Sequence, residues 1–288
     1  MKVLRCCISL IGTIACWLVP VEAQTTIPPD LPAANGTAID GARSPAGQQT
    51  YYFLVFSDPA QGQEAEYNRF YDQEHGPDVA AIPGFVSAQR YIMADRQLRA
   101  VPLKKPRYLV IYTVVTDDPV ALRAEIERRL RSGETRQSKT LTNVQMFTYR
   151  QFRAPQKGVG ADKGAAGAGV PAVYEQVVFG DATPGNDAAF NTWYDDVHEP
   201  SMLSNHGFVE ADRAVLSEVQ LAPASGRSRY LSLFRIVTPD LAATLRGIKS
   251  EDPPAAFDRT RTFGYTYRAI GRPISGDEER ARRALGRH

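Results

Sequence analysis

The chain of 288 residues carries 34 Lys and Arg against 32 Asp and Glu, with 43% hydrophobic and 23% charged residues. That balance excludes wholesale disorder and a polybasic or acidic tail, and a formal charge of +2 gives no electrostatic reason to expect a nucleic-acid partner. At roughly 150 residues per domain the length allows one or two domains, each able to bury its own core.

Lys2 and Arg5 open a charged start, Cys6 to Val19 form an apolar run shorter than a bilayer span, and Val21-Glu22-Ala23 offers a small-x-small cleavage site. Residues 1–23 are therefore expected to be a signal peptide. The mature chain is then secreted or periplasmic, with no membrane attachment after cleavage. Cys6, Cys7 and Cys16 all fall in this segment, which leaves no disulfide, thiolate nucleophile or Cys metal site in the mature chain. Residues 24–49 lack apolar periodicity and read as a disordered N-terminal segment.

In the block 50–153, Tyr51 to Ser57 is β-rich, and Glu64 to His75 carries Tyr67, Phe70, Tyr71 and Glu74 at helical spacing. Pro77 and Gly84 close that helix. Phe85 to Met93 and Arg107 to Val115 read as strands, Pro119 to Arg131 as a charged, solvated helix, and Val144 to Phe152 as a last strand. Residues 154–171, rich in Gly and Ala, read as a linker; Gly158-Val159-Gly160 has no strand before it to make a phosphate loop. The block 172–271 repeats the order with Tyr174 to Phe179, Asp187 to His198, Phe208 to Leu216, Tyr230 to Val237, Asp240 to Lys249 and Phe263 to Ile270. Residues 272–288 read as a charged C-terminal tail.

Shifting the chain against itself by 123 positions aligns Phe56 to Arg90 with Phe179 to Arg213 without a gap, and fourteen of the 35 pairs are identical. Asn68, Tyr71, Asp72, His75, Pro77, Gly84-Phe85-Val86 and Arg90 meet Asn191, Tyr194, Asp195, His198, Pro200, Gly207-Phe208-Val209 and Arg213. A match of this length indicates a duplicated domain rather than a short-period solenoid. Each copy has the strand and helix order of a ferredoxin-like βαββαβ unit. Tyr108, Val110, Tyr112 and Val114 share one strand face, and Leu109 and Ile111 lie on the other. Helices can cover one apolar face; the second needs another sheet. The expected fold is α+β: two ferredoxin-like repeats packed sheet to sheet as an intrachain barrel, a monomer with an internal pseudo-dimer.

The phrases EYNRFYDQEHGPDVAAIPGFVSAQRY and AFNTWYDDVHEPSMLSNHGFVEADR resemble the motif of the EthD-like branch of the dimeric α/β-barrel superfamily, where a helix ending in His-x-Pro runs into Pro-Gly-Phe and a strand. The resemblance covers both blocks. It implies a pocket near the His of His-x-Pro, and a range of activities: polyketide cyclases, muconolactone isomerase-like enzymes, cofactor-free monooxygenases, and haem-degrading or haem-binding proteins.

His75 is the first catalytic candidate, because imidazole exchanges protons near neutrality. Tyr71 lies one turn earlier and Asp72 three residues earlier, so a His-Tyr-carboxylate set could polarise a carbonyl and move a proton beside it. The competing reading makes His75 a cap on the last carbonyls of its helix, held by Asp72. Tyr194, Asp195 and His198 repeat the set, while Gly76, Asp78 and Pro83 become Glu199, Ser201 and His206, which suggests two unequal pockets. His198 and His206 have no metal-binding spacing, and no metal site is expected. Arg90 and Arg213 share a strand face with Val86 and Ala88, and with Val209 and Ala211. They either pair with a carboxylate such as Asp58 or Asp72, or bind an anionic substrate. Strand tyrosines, Tyr112 among them, could edge an apolar cavity for an aromatic ligand.

The leading expectation is cofactor-free acid/base action on a small apolar or aromatic carbonyl compound, as an isomerase, cyclase, lyase or monooxygenase. A non-catalytic binding or interaction protein is the alternative. Haem binding through His75 or His198 is a third, without a haem signature in the sequence.

Overall fold

A computed structural model describes residues 47–99, 106–159, 170–223, 226–249 and 251–286. The expected signal peptide and nearly all of the 24–49 segment lie outside the described residues.

Strand β1 (Gln49–Pro59) leads into α1 (Glu64–Phe70), a π-helical turn (Tyr71–His75) and α2 (Gly76–Ala80). Then come β2 (Phe85–Met93), β3 (Tyr108–Thr116), α3 (Pro119–Ser132), β4 (Leu141–Gln151) and a short β5 (Gln156–Lys157). The second half holds β6 (Ala172–Gly180), α4 (Asp187–Trp193), a second π-helical turn (Tyr194–His198), α5 (Glu199–Ser204) and β7 (Phe208–Leu216). It ends with β8 (Tyr230–Thr238), α6 (Leu241–Arg246), β9 (Phe263–Ser275) and α7 (Gly276–Leu285). Local chemistry sets these bounds. Helix α3, for example, starts where the Asp118 carboxylate accepts from the N–H groups of Val120 and Ala121, and stops at Gly133 with φ of 79°.

The strands run in the order β4-β1-β3-β2 in the first half and β9-β6-β8-β7 in the second. Antiparallel pairing of β2 with β9 and of β4 with β7 joins the halves, so eight long strands close into a barrel. The two seams differ in width. Between β2 and β9 six residue pairs match from Ser87 to Met93, whereas between β4 and β7 only Tyr149 to Gln151 find partners. Strand β5 continues along β7, pairing Gln156 and Lys157 with Ala211 and Glu210.

Strand alternation divides the buried side chains into three groups. Leu109 and Ile111 of β3 point into the barrel with Leu54, Phe56, Val177, Phe179, Leu231 and Tyr267, a core drawn from both halves. Tyr108, Val110, Tyr112 and Val114 point outward beneath the first-half helices, with Tyr67, Phe70, Tyr71 and Ile82. Phe190, Tyr194, Phe208 and Phe234 form the equivalent outer layer of the second half. The outcome is a mixed α+β fold with a closed antiparallel barrel, and no helix among the described residues is long and apolar enough to cross a membrane.

Three expectations need correction. Val86 does not share the face of Arg90: a bulge between Phe85 and Ser87 turns Val86 to solvent, and Phe85, Ala88 and Arg90 face the helices. A matching register shift occurs between Phe208 and Glu210. The expected linker contains β5, and its Gly158 lies so close to the carbonyl of Phe208 that a Cβ would meet that oxygen at 2.3 Å. The expected tail from residue 272 is instead the end of β9 and helix α7. Ser275 caps α7 by accepting from the N–H of Glu278, and Arg280 Nη1 donates to the carbonyls of Ala80 (3.2 Å), Ile82 (3.3 Å) and Phe85 (2.9 Å). This polar docking holds α7 against the first half.

Candidate functional site

Both His-x-Pro motifs sit at the end of a π-helical turn. The N–H of Gly76 reaches back five residues to the carbonyl of Tyr71, and that of Glu199 to Tyr194. The cause is the proline that follows, Pro77 or Pro200, which has no N–H to donate and whose ring would press on the carbonyl four residues back; widening the turn relieves both. Gly76 is required by contact as well: a Cβ there would lie 2.6 Å from the Tyr71 carbonyl oxygen and 2.8 Å from Ile274 Cδ1.

In the first half the turn sends Asp72 and His75 in different directions. Asp72 is exposed and accepts from Arg90 Nη1, while Arg90 Nη2 donates to Asn68 Oδ1 at 2.6 Å. The Arg90 guanidinium lies over the Tyr71 ring, 5.1 Å from its centre. Arg90 is thus paired with Asp72 rather than Asp58, whose carboxylate accepts from the N–H of Arg107 and from Asn143. Tyr71 is buried, its hydroxyl near Ser57 but without a hydrogen bond of good geometry, and burial pushes its phenol up against the opposing influence of Ser57 and Arg90. The His75 ring stacks on Phe70 at 5.3 Å and meets the edge of Tyr71 at 5.3 Å. Its Nδ1 lies 2.7 Å from the carbonyl of Arg136, and because a carbonyl only accepts, Nδ1 carries the proton and Nε2 the lone pair. Burial lowers the His75 pKa, opposed by that hydrogen bond and by Asp78, so the imidazole is neutral at pH 7. Asp78 fixes this corner. Burial alone would raise its carboxyl, but hydrogen bonds from Arg136 (2.8 Å) and Arg283 (2.7 Å) hold it down at about 2.

The second half keeps the motif and changes its surroundings. Arg213 is fully buried, donates to Asp195 and to Asn191 Oδ1 (2.8 Å), and lies 4.2 Å from the centre of the Tyr194 ring. His198 stacks on Trp193 at 4.8 Å, and its buried Nδ1 has no hydrogen-bond partner. Burial lowers its pKa to about 4, only partly opposed by Glu251. Burial likewise pushes the Tyr194 phenol up to about 12, with Arg213 opposing.

The inequality of the two sites has a specific origin. Arg90 pairs across the wide seam with Ile270, and the N–H of Phe152 donates to the carbonyl of Arg213 across the narrow one. Phe152 and Arg153 therefore occupy, beside Arg213, the places that Ile270 and Gly271 occupy beside Arg90. Phe152 lies 5.0 Å under the Arg213 guanidinium, and Arg153 pairs with buried Glu199 and, at 3.6 Å, with Asp195. That site is filled. In the first half, Gly271 adopts φ of 68° within a bulge of β9 and carries no side chain. A cavity of about 320 Å³ opens there, walled by Asn68, Asp72 and Arg90 on one side and by Ile92, Tyr108, Ile270 and Gly271 on the other.

Of the expected site residues, Asp72 and Arg90 line this cavity together. Tyr71 supports Arg90 from beneath. His75 touches Tyr71 but does not line the cavity, and Tyr112 is buried beneath the helices against Phe85, its hydroxyl unpartnered. The residues around His198 form a separate, packed cluster.

A second polar group escaped the sequence reading. Glu175, buried inside the barrel, lies 3.4 Å from the Tyr91 hydroxyl and 3.6 Å from Arg235 Nε. Burial raises its pKa to about 7, opposed by Arg235 and reinforced by Asp212. Gln151 Nε2 donates to Tyr52 (2.9 Å) and to Asp212 (2.6 Å), completing the group. The available signal was charged residues at inward positions of β6, β7 and β8.

No cluster of three or more His, Cys, Asp or Glu suited to a metal ion occurs among the described residues. Neither imidazole proposed as a haem ligand lines the 320 Å³ cavity, so these residues do not fit an axial ligand to a haem seated there.

No family model and no curated protein matches the chain. Solved structures of similar architecture exist. One is an anthrone oxidase-like protein, 9% identical, with a TM-score of 0.48 over 80% of this chain and 94% of that one. Another is a candidate monooxygenase from Fusobacterium nucleatum, 8% identical, with a TM-score of 0.48 over 79% and 94%. A third is a mutant chlorite dismutase from Candidatus Nitrospira defluvii in complex with cyanide, 11% identical, with a TM-score of 0.42 over 81% and 94%. Likeness at this level carries nothing about chemistry.

Proposed function

We propose that this chain is an exported, tandemly duplicated EthD-like barrel protein that binds a small apolar or aromatic carbonyl compound in the first-half cavity. One observation carries the reading: Gly271 and Ile270 leave space beside Arg90 where Arg153 and Phe152 fill the equivalent space beside Arg213. Ile92, Ile270 and Tyr108 supply apolar walls, and Arg90 with Asn68 supplies a polar end for the carbonyl oxygen. The two halves act as a ferredoxin-like pseudo-dimer within one monomer, and the second half serves as scaffold.

Proton transfer by His75 is the second reading, favoured by its neutral ring and by the tethered Nδ1, which leaves Nε2 as a base. Tyr71 would then act through Arg90 rather than by direct contact.

Titration with a panel of aryl ketones and quinones tests the binding reading. Wild type is expected to show saturable binding at one site, and Ile270→Phe, which copies the second half, to weaken it at least tenfold while the fold is retained. Equal binding by both proteins would overturn the cavity assignment. If a bound compound is also turned over, His75→Ala is expected to lower the rate by roughly 10²- to 10⁴-fold.

A further inference from the structure

A second cavity, of about 180 Å³, lies inside one end of the barrel and has no part in the site just described. Its walls are the rings of Phe56, Phe147, Phe179, Phe263 and Tyr265, contributed by both halves. The rings pack tightly, with Phe56 to Phe147 at 5.7 Å, Phe147 to Phe179 at 5.9 Å and Phe179 to Phe263 at 5.3 Å between centres. At its rim stands Arg227, whose guanidinium carbon lies 3.9 Å from the centre of the Phe147 ring.

The state of Arg227 is what makes this more than a packing gap. Its Nε is buried and has no hydrogen-bond partner, and among the described residues no carboxylate pairs with it. Asp181, on the loop after β6, is already engaged by Arg261 Nε (2.5 Å) and by the N–H of Arg229 (2.5 Å). The Tyr149 hydroxyl is likewise committed, donating to the carbonyl of Ser228 at 2.9 Å. Burial lowers the Arg227 pKa, with Tyr149 opposing, which is the behaviour of a cation lacking a counter-ion. A partly buried guanidinium without an anion is costly, and the cation–π contact offsets only part of that cost.

We propose that this end of the barrel is a binding site for a small aromatic carboxylate, the ring seated among the phenylalanines and the carboxylate paired with Arg227. Size agrees: a dry cavity of about 150 Å³ accepts a benzene ring. Shape agrees too, because walls of flat rings favour a flat guest. The planar guanidinium suits a carboxylate, which it can engage through two parallel N–H donors. The site differs from the Arg90 cavity in position, in charge balance and in ligand class, since Arg90 already holds a carboxylate in Asp72 and Arg227 holds none among the described residues.

Calorimetric titration of the full chain with benzoate, and with benzamide as its neutral counterpart of equal shape, tests the proposal without any mutation. Benzoate is expected to bind saturably at one site and at least tenfold more tightly than benzamide. Arg227→Gln is expected to abolish that preference and Arg227→Lys to restore part of it. Ile270→Phe, which fills the other cavity, is expected to leave benzoate binding unchanged. Equal affinity for the two probes, an absence of saturable benzoate binding, or loss of binding in Ile270→Phe would each overturn the assignment.

Discussion

Two buried groups, one in each chemical sense, give this molecule a stability that depends on pH from both sides. His198 has its pKa lowered by burial from 6.5 to about 4. The unfolded chain therefore binds more protons below 6.5, so this contribution is complete above that pH and is lost as pH falls through about 4. Its size is roughly 2 kcal/mol after discounting for partial exposure. His198→Phe keeps the stacking on Trp193 and removes the orphan Nδ1, so urea unfolding should show the acid loss between pH 6.5 and 4 shrinking by about that amount. Glu175 works in the opposite direction. Its pKa is raised from 4.5 to about 7, so the folded state holds the extra proton, and stability falls as pH rises through that interval by about 3 kcal/mol. Glu175→Gln should flatten the decline between pH 4.5 and about 7, and an unchanged slope would show that Arg235 compensates the charge fully.

At the level of elements, the close approach at Gly76 makes a clear demand. A methyl group there meets both the Tyr71 carbonyl and Ile274, so Gly76→Ala should destabilise the protein by roughly 1 to 3 kcal/mol, read from thermal unfolding. At the equivalent position of the second half stands Glu199, whose carboxylate pairs with Arg153. Most of the elements were legible in the sequence because their signals are local: alternation in β3, the charged helical pattern of Pro119 to Arg131, and the repeated helix and strand around His-x-Pro. Helix α7 was not legible because its docking face is Arg280 and Arg283 rather than an apolar stripe, although Ser275 and Glu278 have the spacing of a capping box. The bulge at Val86 was equally silent, since alternation assumes an unbroken pleat. The cavity was out of reach for a deeper reason. The repeat pointed to Asp72 and Arg90, but whether space exists beside them depends on which residue of a strand 180 positions away lands opposite Arg90. Register across the seam is a property of the closed barrel, not of either half.

For the whole molecule, closure within one chain uses the sheet edges that would otherwise recruit a second copy, so light scattering should report a monomer, and a stable dimer in dilute solution would contradict that account. The closure is nonetheless lopsided. The β2–β9 seam is held by six matched pairs and by α7, while the β4–β7 seam has three. In hydrogen–deuterium exchange this asymmetry should appear as a fast line down one side of the barrel: the seam-facing amides of residues 149–151 and 214–216 exchange by local opening, well before those of 90–93. A guest lodged among the lumen rings touches Tyr149 at one end of that same line. The narrow seam would then act as the door of the barrel, and occupancy of the lumen would be readable as a slowing of its amides without any change in the shape of the protein.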